Sequence, residues 1–366
     1  MKYLISGGGT GGHIYPALAI LNEIKLNDKD ADILYVGTKE GLESKLIPKE
    51  GIKFKTIRVK GIPRSINKDS FIALRELIYG LKESDKIIKE FKPDIVIGTG
   101  GYVCGPVVYK AYRNKIPTLI HEQNAFPGIT NKILSRFVDK VAVTFEESIK
   151  YFKYPDRVIN TGNPIRREIL NIDKKEAYKK LDLSPLKPTI LCFGGSGGQK
   201  SLNTAIKDMI KTIETIDFQL IHITGERFYN EFMEDIKDLN LNSKEIKILP
   251  YLYEMAEALN IADIIVTSAG AITLAEISSM GIPSILIPKA YTAENHQEYN
   301  ARNFEKKNAA IVILEKELNG ENLKKELLNL LNNPAKLKEM AKMSKNLGKT
   351  NAAYEIYDII KKMLEN

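Results

Sequence analysis

The sequence predicts an α/β protein made of two doubly wound, Rossmann-like domains of parallel sheet, and three observations carry that reading. At 366 residues the chain is longer than one hydrophobic core ordinarily serves, so two domains are expected. Its opening pattern, a short apolar strand running into glycines and then a helix, recurs at the head of the second half. Lys2 to Ser6 leads into Gly7-Gly8-Gly9-Thr10-Gly11-Gly12-His13, and Pro188 to Phe193 leads into Gly194-Gly195-Ser196-Gly197-Gly198-Gln199-Lys200. The third observation is the stretch Ala262 to Gln297. It reads as a buried strand (Asp263 to Thr267), a small-residue turn (Ser268-Ala269-Gly270-Ala271), a helix (Ile272 to Met280) ended by Gly281-Ile282-Pro283, and another strand (Ile285 to Ile287). Strand, turn, helix and strand in that order leave helix-start amides at the carboxyl end of a parallel sheet, where anions and nucleotide groups bind.

Composition narrows the class. Hydrophobic content of 43% and charged content of 27% are those of a globular domain protein. No run approaches the ~20 apolar residues of a spanning helix. Met1 to Ser6 is too short for a signal peptide and runs straight into the glycine loop. Two cysteines, Cys104 and Cys192, fit a reducing compartment, and with four scattered histidines they make no structural metal site. Residues 1–165 hold 26 Lys+Arg against 18 Asp+Glu, and residues 166–366 hold 28 of each, so the whole net charge of +8 lies in the first half. An anionic partner for that half is expected: nucleic acid, a phosphate-bearing substrate or an acidic membrane surface.

In chain order, the glycines of the first loop let backbone amides approach a ligand, and a helix is expected to start near Tyr15-Pro16. Gly7, Gly9 and Gly12 have the dinucleotide-fingerprint spacing, yet the second strand, Ile33 to Val36, ends in Gly37-Thr38-Lys39 rather than in an acid. A nicotinamide or flavin enzyme is thereby disfavoured, and no cofactor is expected. A lone histidine is usually structural; His13, framed by glycines at a loop-to-helix junction, is instead a candidate for proton transfer. Residues 49–92 carry 12 basic and 6 acidic residues and include a helical pattern from Ser70 to Lys82. Phe71, Leu74, Ile78 and Leu81 share one face of it, which is either the side that covers the sheet or a docking surface. Asp94 to Gly98 is a strand that enters a further glycine loop, Gly98-Thr99-Gly100-Gly101-Tyr102. Pro117 to His121 is another, leading to the polar run His121-Glu122-Gln123-Asn124. Lys140 to Val143 and Val158 to Asn160 complete the first sheet. Thr161 to Arg166 reads as the hinge, and Arg166 offers the planar fork that suits phosphate oxygens. The loop at Gly194 lacks the spacing of a nucleotide-hydrolysing P-loop. Phe218 to Thr224 and Lys244 to Leu249 are further strands. Tyr251 to Met255 is a turn whose Leu252 backbone could meet a flat base. The domains are placed at 1–163 and 164–349, with the last helix, about 350–366, packing back on the first.

Seven ordered motifs, SGGGTGGHIYPALA, GTGGYVCGP, HEQN, TGNPIR, GGSGGQ, SAGAITLAE and HQEYNA, closely resemble the bacterial transferases that add N-acetylglucosamine to undecaprenyl-pyrophosphoryl-N-acetylmuramoyl-pentapeptide in peptidoglycan synthesis. The resemblance implies a GT-B architecture with the acceptor on the N-terminal side, near Gly100, Gly101 and Tyr102, and the UDP-sugar donor on the C-terminal side. It places Thr10, Gly11 and Gly12 near the donor's diphosphate and sugar, Asn124 on the transferred sugar, Arg166 on the diphosphate and Ser196 on a phosphate oxygen. The Leu252 backbone would meet the uracil. Ala271, Ile272, Thr273, Leu274, Ala275 and Glu276 would cradle the nucleotide, with Glu276 on the ribose, and Gln297 would bind sugar hydroxyls. Ser268 and His296 depart from residues found in some relatives and receive no role.

An inverting transfer needs a base for the acceptor hydroxyl and a stabilised diphosphate leaving group. His13 is the expected base, with Glu122 as the competing carboxylate. No Asp-x-Asp pair lies near these motifs, so no metal is required. The acceptor implies a peripheral enzyme at the cytoplasmic face of an anionic membrane. Phe71, Leu74, Ile78 and Leu81 would dock there beside Lys60, Arg64, Lys68, Arg75 and Lys82. Two alternatives stay open at this point: another GT-B enzyme on a UDP-sugar (a lipid glucosyltransferase or a UDP-N-acetylglucosamine epimerase), and a nucleic-acid-binding protein. The latter is disfavoured because no aromatic-interleaved basic motif or recognition helix is present.

Overall fold

The computed structural model describes residues 1–61, 68–195, 197–213, 217–239, 241 and 245–365. The chain forms two compact units, one of Met1–Ile165 with Lys349–Asn366 and one of Arg166–Gly348.

The first unit carries β1 (Lys2–Ser6), β2 (Asp32–Gly37), β3 (Lys53–Thr56), β4 (Ile95–Gly98), β5 (Thr118–Glu122), β6 (Lys140–Val143) and β7 (Val158–Asn160), in the order β3-β2-β1-β4-β5-β6-β7. Every pairing is parallel, as in the register Ile5 to Ile97 between β1 and β4. Such strands are buried on both faces, so Tyr3-Leu4-Ile5 and Ile95-Val96-Ile97 are continuous apolar runs. The chain winds outward from β1 in one direction and from β4 in the other, which sets a topological switch point between the carboxyl ends of these two strands. The final helix, Ala352–Glu365, buries Ile356 and Ile360 in the same cluster as Tyr3, Ile20, Leu21 and Ile24.

The second unit repeats the plan with β8 (Thr189–Phe193), β9 (Gln219–Ile223), β10 (Ile246–Leu249), β11 (Ile264–Thr267), β12 (Ser284–Leu286) and β13 (Ala310–Val312), in the order β10-β9-β8-β11-β12-β13. All of its pairings are parallel, and its switch point falls between β8 and β11.

Three local expectations change. The first helix begins at Gly11, not near Tyr15, because the Thr10 carbonyl already accepts from the His13 and Ile14 amides at 3.1 and 3.3 Å. Pro16 therefore sits inside the helix, and His13 lies on its first turn rather than in the loop. Gln297, expected on a loop, lies on the helix His296–Lys306. The helical pattern at 70–82 belongs to a longer helix, Lys68–Phe91.

Candidate active site

At the first unit's switch point the loop after β1 and the loop after β4 interlock. The Gly8 amide donates to the Gly100 carbonyl at 3.3 Å, and the Thr99 hydroxyl to the His13 carbonyl at 2.7 Å. Gly101 has φ +81°, and a Cβ there would stand 2.3 Å from the Gly8 oxygen, so only glycine fits. His13 is half-buried between these loops, with Nδ1 2.9 Å from the Gly8 carbonyl and 3.4 Å from the Thr10 hydroxyl. A carbonyl only accepts, so Nδ1 is the donor in that contact and Nε2 is the nitrogen left open. Thr10 and Gly12 are exposed beside it, and the first-turn amides there have no partner within the helix. Tyr102 is exposed at the rim of the same loops.

Glu122 ends β5 and is buried. Its Oε1 accepts from the Asn124 amide (2.9 Å) and side chain (3.2 Å), and its Oε2 from the Gly128 amide (3.1 Å) and Asn131 side chain (2.8 Å). Four donors hold this carboxylate as the clasp of the 123–128 loop, and Asn124 is tied into that clasp. Next to it His121 is fully buried: its Nε2 donates to the Gly162 carbonyl at 3.0 Å, and its Nδ1 accepts from Gln123 at 3.0 Å. Burial lowers its pKa to about 4, against smaller opposing effects of the Gly162 bond and Glu122.

In the second unit the glycine loop after β8 meets the turn after β11. Gly198 has φ +70°, and a Cβ there would lie 2.2 Å from the Thr224 oxygen, while a Cβ on Gly195 would touch the Ser268 hydroxyl at 3.5 Å. The helix Ala271–Met280 starts directly after Gly270, so the amides of Ala271, Ile272 and Thr273 open its first turn. Leu274 and Ala271 are buried, as is the side chain of Leu252, which joins the core and leaves its backbone as the polar part of that turn. Glu276 is buried and pairs with Arg166 at 3.5 Å. Burial raises its carboxyl pKa, and the Arg166 guanidinium partly offsets that rise. The two residues expected on ribose and diphosphate thus meet each other. Gln297 Oε1 accepts from the Lys289 amide at 3.0 Å. Ser196 lies outside the described residues.

Several residues of these sites received no role from the sequence. Lys289 donates from Nζ to the Gly198 carbonyl at 3.0 Å, and burial, with Arg227 nearby, lowers its pKa. Glu315 accepts from Gln199 at 2.9 Å and from the Ala290 amide at 2.7 Å, which ties the glycine loop to the segment after β12. Asn300 donates to the Ala269 carbonyl at 3.1 Å and fixes the turn before the Ala271 helix. Glu43 is buried against the first glycine loop. A separate cavity, lined by Leu170, Asp263, Ile282 and Leu337, opens at the amino-terminal edge of the second sheet, the edge opposite the glycine turn.

Two parallel sheets wound both ways, each with a glycine turn and open helix amides at its switch point, define a protein of two Rossmann-like units suited to a phosphate-bearing ligand. Residues 3–143 match the glycosyltransferase family 28 N-terminal domain and residues 189–359 the family's C-terminal domain, and the chain belongs to that family. It is 52% identical over 371 residues to the UDP-N-acetylglucosamine--N-acetylmuramyl-(pentapeptide) pyrophosphoryl-undecaprenol N-acetylglucosamine transferase of Finegoldia magna, covering 100% of this chain and 99% of the relative. It is 50% identical to the protein of the same name in Acetivibrio thermocellus, with the same coverage. The crystal structure of Acinetobacter baumannii MurG superposes with a TM-score of 0.80 at 27% identity, covering 99% of both chains.

Proposed function

We propose that this protein is an inverting glycosyltransferase that moves N-acetylglucosamine from UDP-N-acetylglucosamine to the lipid-linked muramoyl-pentapeptide, with a β-1,4 linkage, as a step of peptidoglycan synthesis. The observation that carries this reading is full-length identity of about half to relatives that bear that name, such as the Finegoldia magna protein at 52% over 100% of this chain. The epimerase and lipid-glucosyltransferase alternatives are not favoured by these relatives.

In this reading the acceptor hydroxyl attacks the anomeric carbon, His13 Nε2 takes its proton, and UDP leaves. Nε2 is suited to that task because Nδ1 is already committed to the Gly8 carbonyl. Glu122 is the weaker choice, since both its oxygens are occupied. Charge on the departing diphosphate is met by helix-start amides at Gly11–Gly12 and Ala271–Thr273, together with Ser196 and Arg166. Glu276 holds the ribose diol once the donor draws Arg166 toward its phosphates. Asn124 and Gln297 contact the transferred sugar, the Leu252 backbone contacts the uracil, and Gly100, Gly101 and Tyr102 border the acceptor.

Because the acceptor is lipid-linked, the protein works as a peripheral enzyme on the anionic cytoplasmic face of the membrane, docking through the first unit. Phe71, Leu74 and Ile78 support this, being exposed along one helix. Among the described residues no helix is long and apolar enough to cross a membrane. The deciding experiment is transfer of radiolabelled N-acetylglucosamine from its UDP donor to the lipid-linked muramoyl-pentapeptide, with product linkage determined. Label that stays on UDP, or that appears as an epimerised sugar, overturns the reading.

A further inference from the structure

We infer that Glu43 is a positioning residue for His13, acting through the single peptide unit between Gly8 and Gly9. The inference rests on the reading of His13 as the base and adds a residue to that reading.

Glu43 begins a short helix after β2 and is fully buried. Its Oε1 accepts from the Thr38 amide at 2.9 Å and the Thr38 hydroxyl at 2.7 Å, and its Oε2 accepts from the Gly9 amide at 3.2 Å. These three partners are donors that carry no charge, so the group they converge on is a carboxylate used purely as an acceptor. Burying a carboxylate under a loop is costly unless its hydrogen bonds are met, and a protein keeps such a group where it fixes something.

What it fixes is one peptide plane. In a trans peptide the carbonyl and the N–H point in opposite directions. With the Gly9 N–H directed at Glu43, the Gly8 carbonyl is turned away from it, and there it receives the Nδ1 proton of His13 at 2.9 Å. Gly8 and Gly9 carry no side chains, and Gly9 sits at φ +84°, so this plane has little steric restraint of its own. A Cβ on Gly8 would stand 2.6 Å from the Glu43 carboxylate, so the loop needs glycines to sit this close to it. The neighbouring carbonyl is held as well, since Gly7 accepts from the buried Tyr35 hydroxyl at 2.8 Å. The carboxylate therefore governs the imidazole's tautomer at one remove. In a Ser-His-Asp triad the carboxylate binds Nδ1–H itself and its loss puts the proton on the wrong nitrogen. Here a backbone amide stands between the two groups and transmits the same constraint.

Glu43→Gln tests this, because it keeps shape and volume but turns an amide N–H₂ toward the Gly9 N–H, setting donor against donor. The peptide plane rotates, the Gly8 carbonyl leaves Nδ1, and the ring relaxes toward the Nε2–H form, which is no base at the reacting position. The expected result is a fall in kcat of about 10–100-fold, part of the ~10²–10⁴ a general base supplies, with affinity for UDP by calorimetry within about twofold of wild type. In ¹⁵N-histidine spectra of the substrate-free protein, with His13 assigned from the His13→Asn variant, wild type shows Nδ1–H and Glu43→Gln shows Nε2–H. Thr38→Val is the control. It removes a donor to Oε1 but leaves the Gly9 bond, so it lowers the melting temperature and keeps the Nδ1–H form. Should Glu43→Gln fold poorly, Glu43→Asp, too short to reach the Gly9 amide, gives the same tautomer change. An unchanged tautomer in a folded Glu43 variant, or equal losses of kcat and UDP affinity, overturns the inference. A wild-type protein that transfers no sugar overturns the functional reading instead, and the tautomer measurement stands apart from it.

Discussion

His13 has one nitrogen engaged and one open, and that asymmetry sets what its removal does. His13→Ala takes away the proposed base and leaves the helix-start amides of Gly11 and Gly12 in place. Turnover should fall by ~10²–10⁴ while UDP affinity by calorimetry stays near wild type. Near-normal turnover would make His13 structural and return Glu122 to candidacy. Glu276→Ala works on affinity. It removes the carboxylate proposed to hold the ribose and strands Arg166, its partner at 3.5 Å, so UDP binding should weaken by roughly 1–3 kcal/mol, as for loss of a hydrogen bond to a charged group. Unchanged calorimetric affinity would put the ribose elsewhere. His13 could be singled out in the sequence because glycines crowd around it. Glu43 could not, since nothing in the sequence separates it from Glu40, Lys45 and Lys49 until the fold turns it inward.

At the scale of elements, the helix Lys68–Phe91 shows which of its faces is which. Small and medium residues, Ala73, Gly80, Ser84, Ile87 and Ile88, form its buried side. A Cβ on Gly80 would come 2.5 Å from the Arg58 carbonyl, so glycine lets the helix lie close on that segment. The larger residues face outward, with Phe71 72%, Leu74 54% and Ile78 49% exposed, while Leu81 is half-buried. Lys60, Arg75 and Lys82 are exposed in the same region; Arg64 and the side chain of Lys68 lie outside what the structure describes. In the proposed docking, apolar area plus basic residues worth ~1 kcal/mol each near an anionic leaflet predicts reversible, salt-sensitive binding. Phe71→Ser with Ile78→Ser should abolish sedimentation with anionic liposomes and leave the melting temperature unchanged, since neither side chain contributes to the core. A large fall in melting temperature would show that both are packed after all. The periodicity in the sequence located this helix but not its inward side, because the stripe with the greater hydrophobicity is the one left outside. The central strands were legible as unbroken apolar runs. The edge strands β3 and β13 were not: Lys53-Phe54-Lys55-Thr56 alternates beside solvent, and Ala310–Val312 is only three residues long.

For the whole molecule, charge and burial are distributed differently between the two units. The returning segment Lys349–Asn366 contains three basic and three acidic residues, so the first unit keeps the entire +8 and the second is neutral. Salt-dependent behaviour should therefore follow the first unit. Burial is shared evenly, since each unit holds one fully buried histidine, His121 in the first and His222 in the second. His222 packs its ring 5.1 Å from Phe232, and neither ring nitrogen makes a hydrogen bond of ordinary geometry. Burial lowers both pKa values to about 4, from an ordinary 6.5. Between these values the unfolded chain binds protons that the folded chain refuses, so stability is full above pH 6.5 and is lost as pH falls toward 4. The loss is on the order of 3 kcal/mol per histidine at the bottom of that window. The melting temperature of both units should accordingly drop on acidification from pH 7 to pH 5. His222→Phe replaces a ring that burial keeps neutral with one that cannot titrate, at the cost of a weak contact with the Cys192 backbone. Calorimetric scans of that variant should show the second unit's transition becoming less sensitive to pH across this window, with the first unit's unchanged. A pH dependence as steep as in the wild type for both transitions would mean that His222 takes up its proton without unfolding.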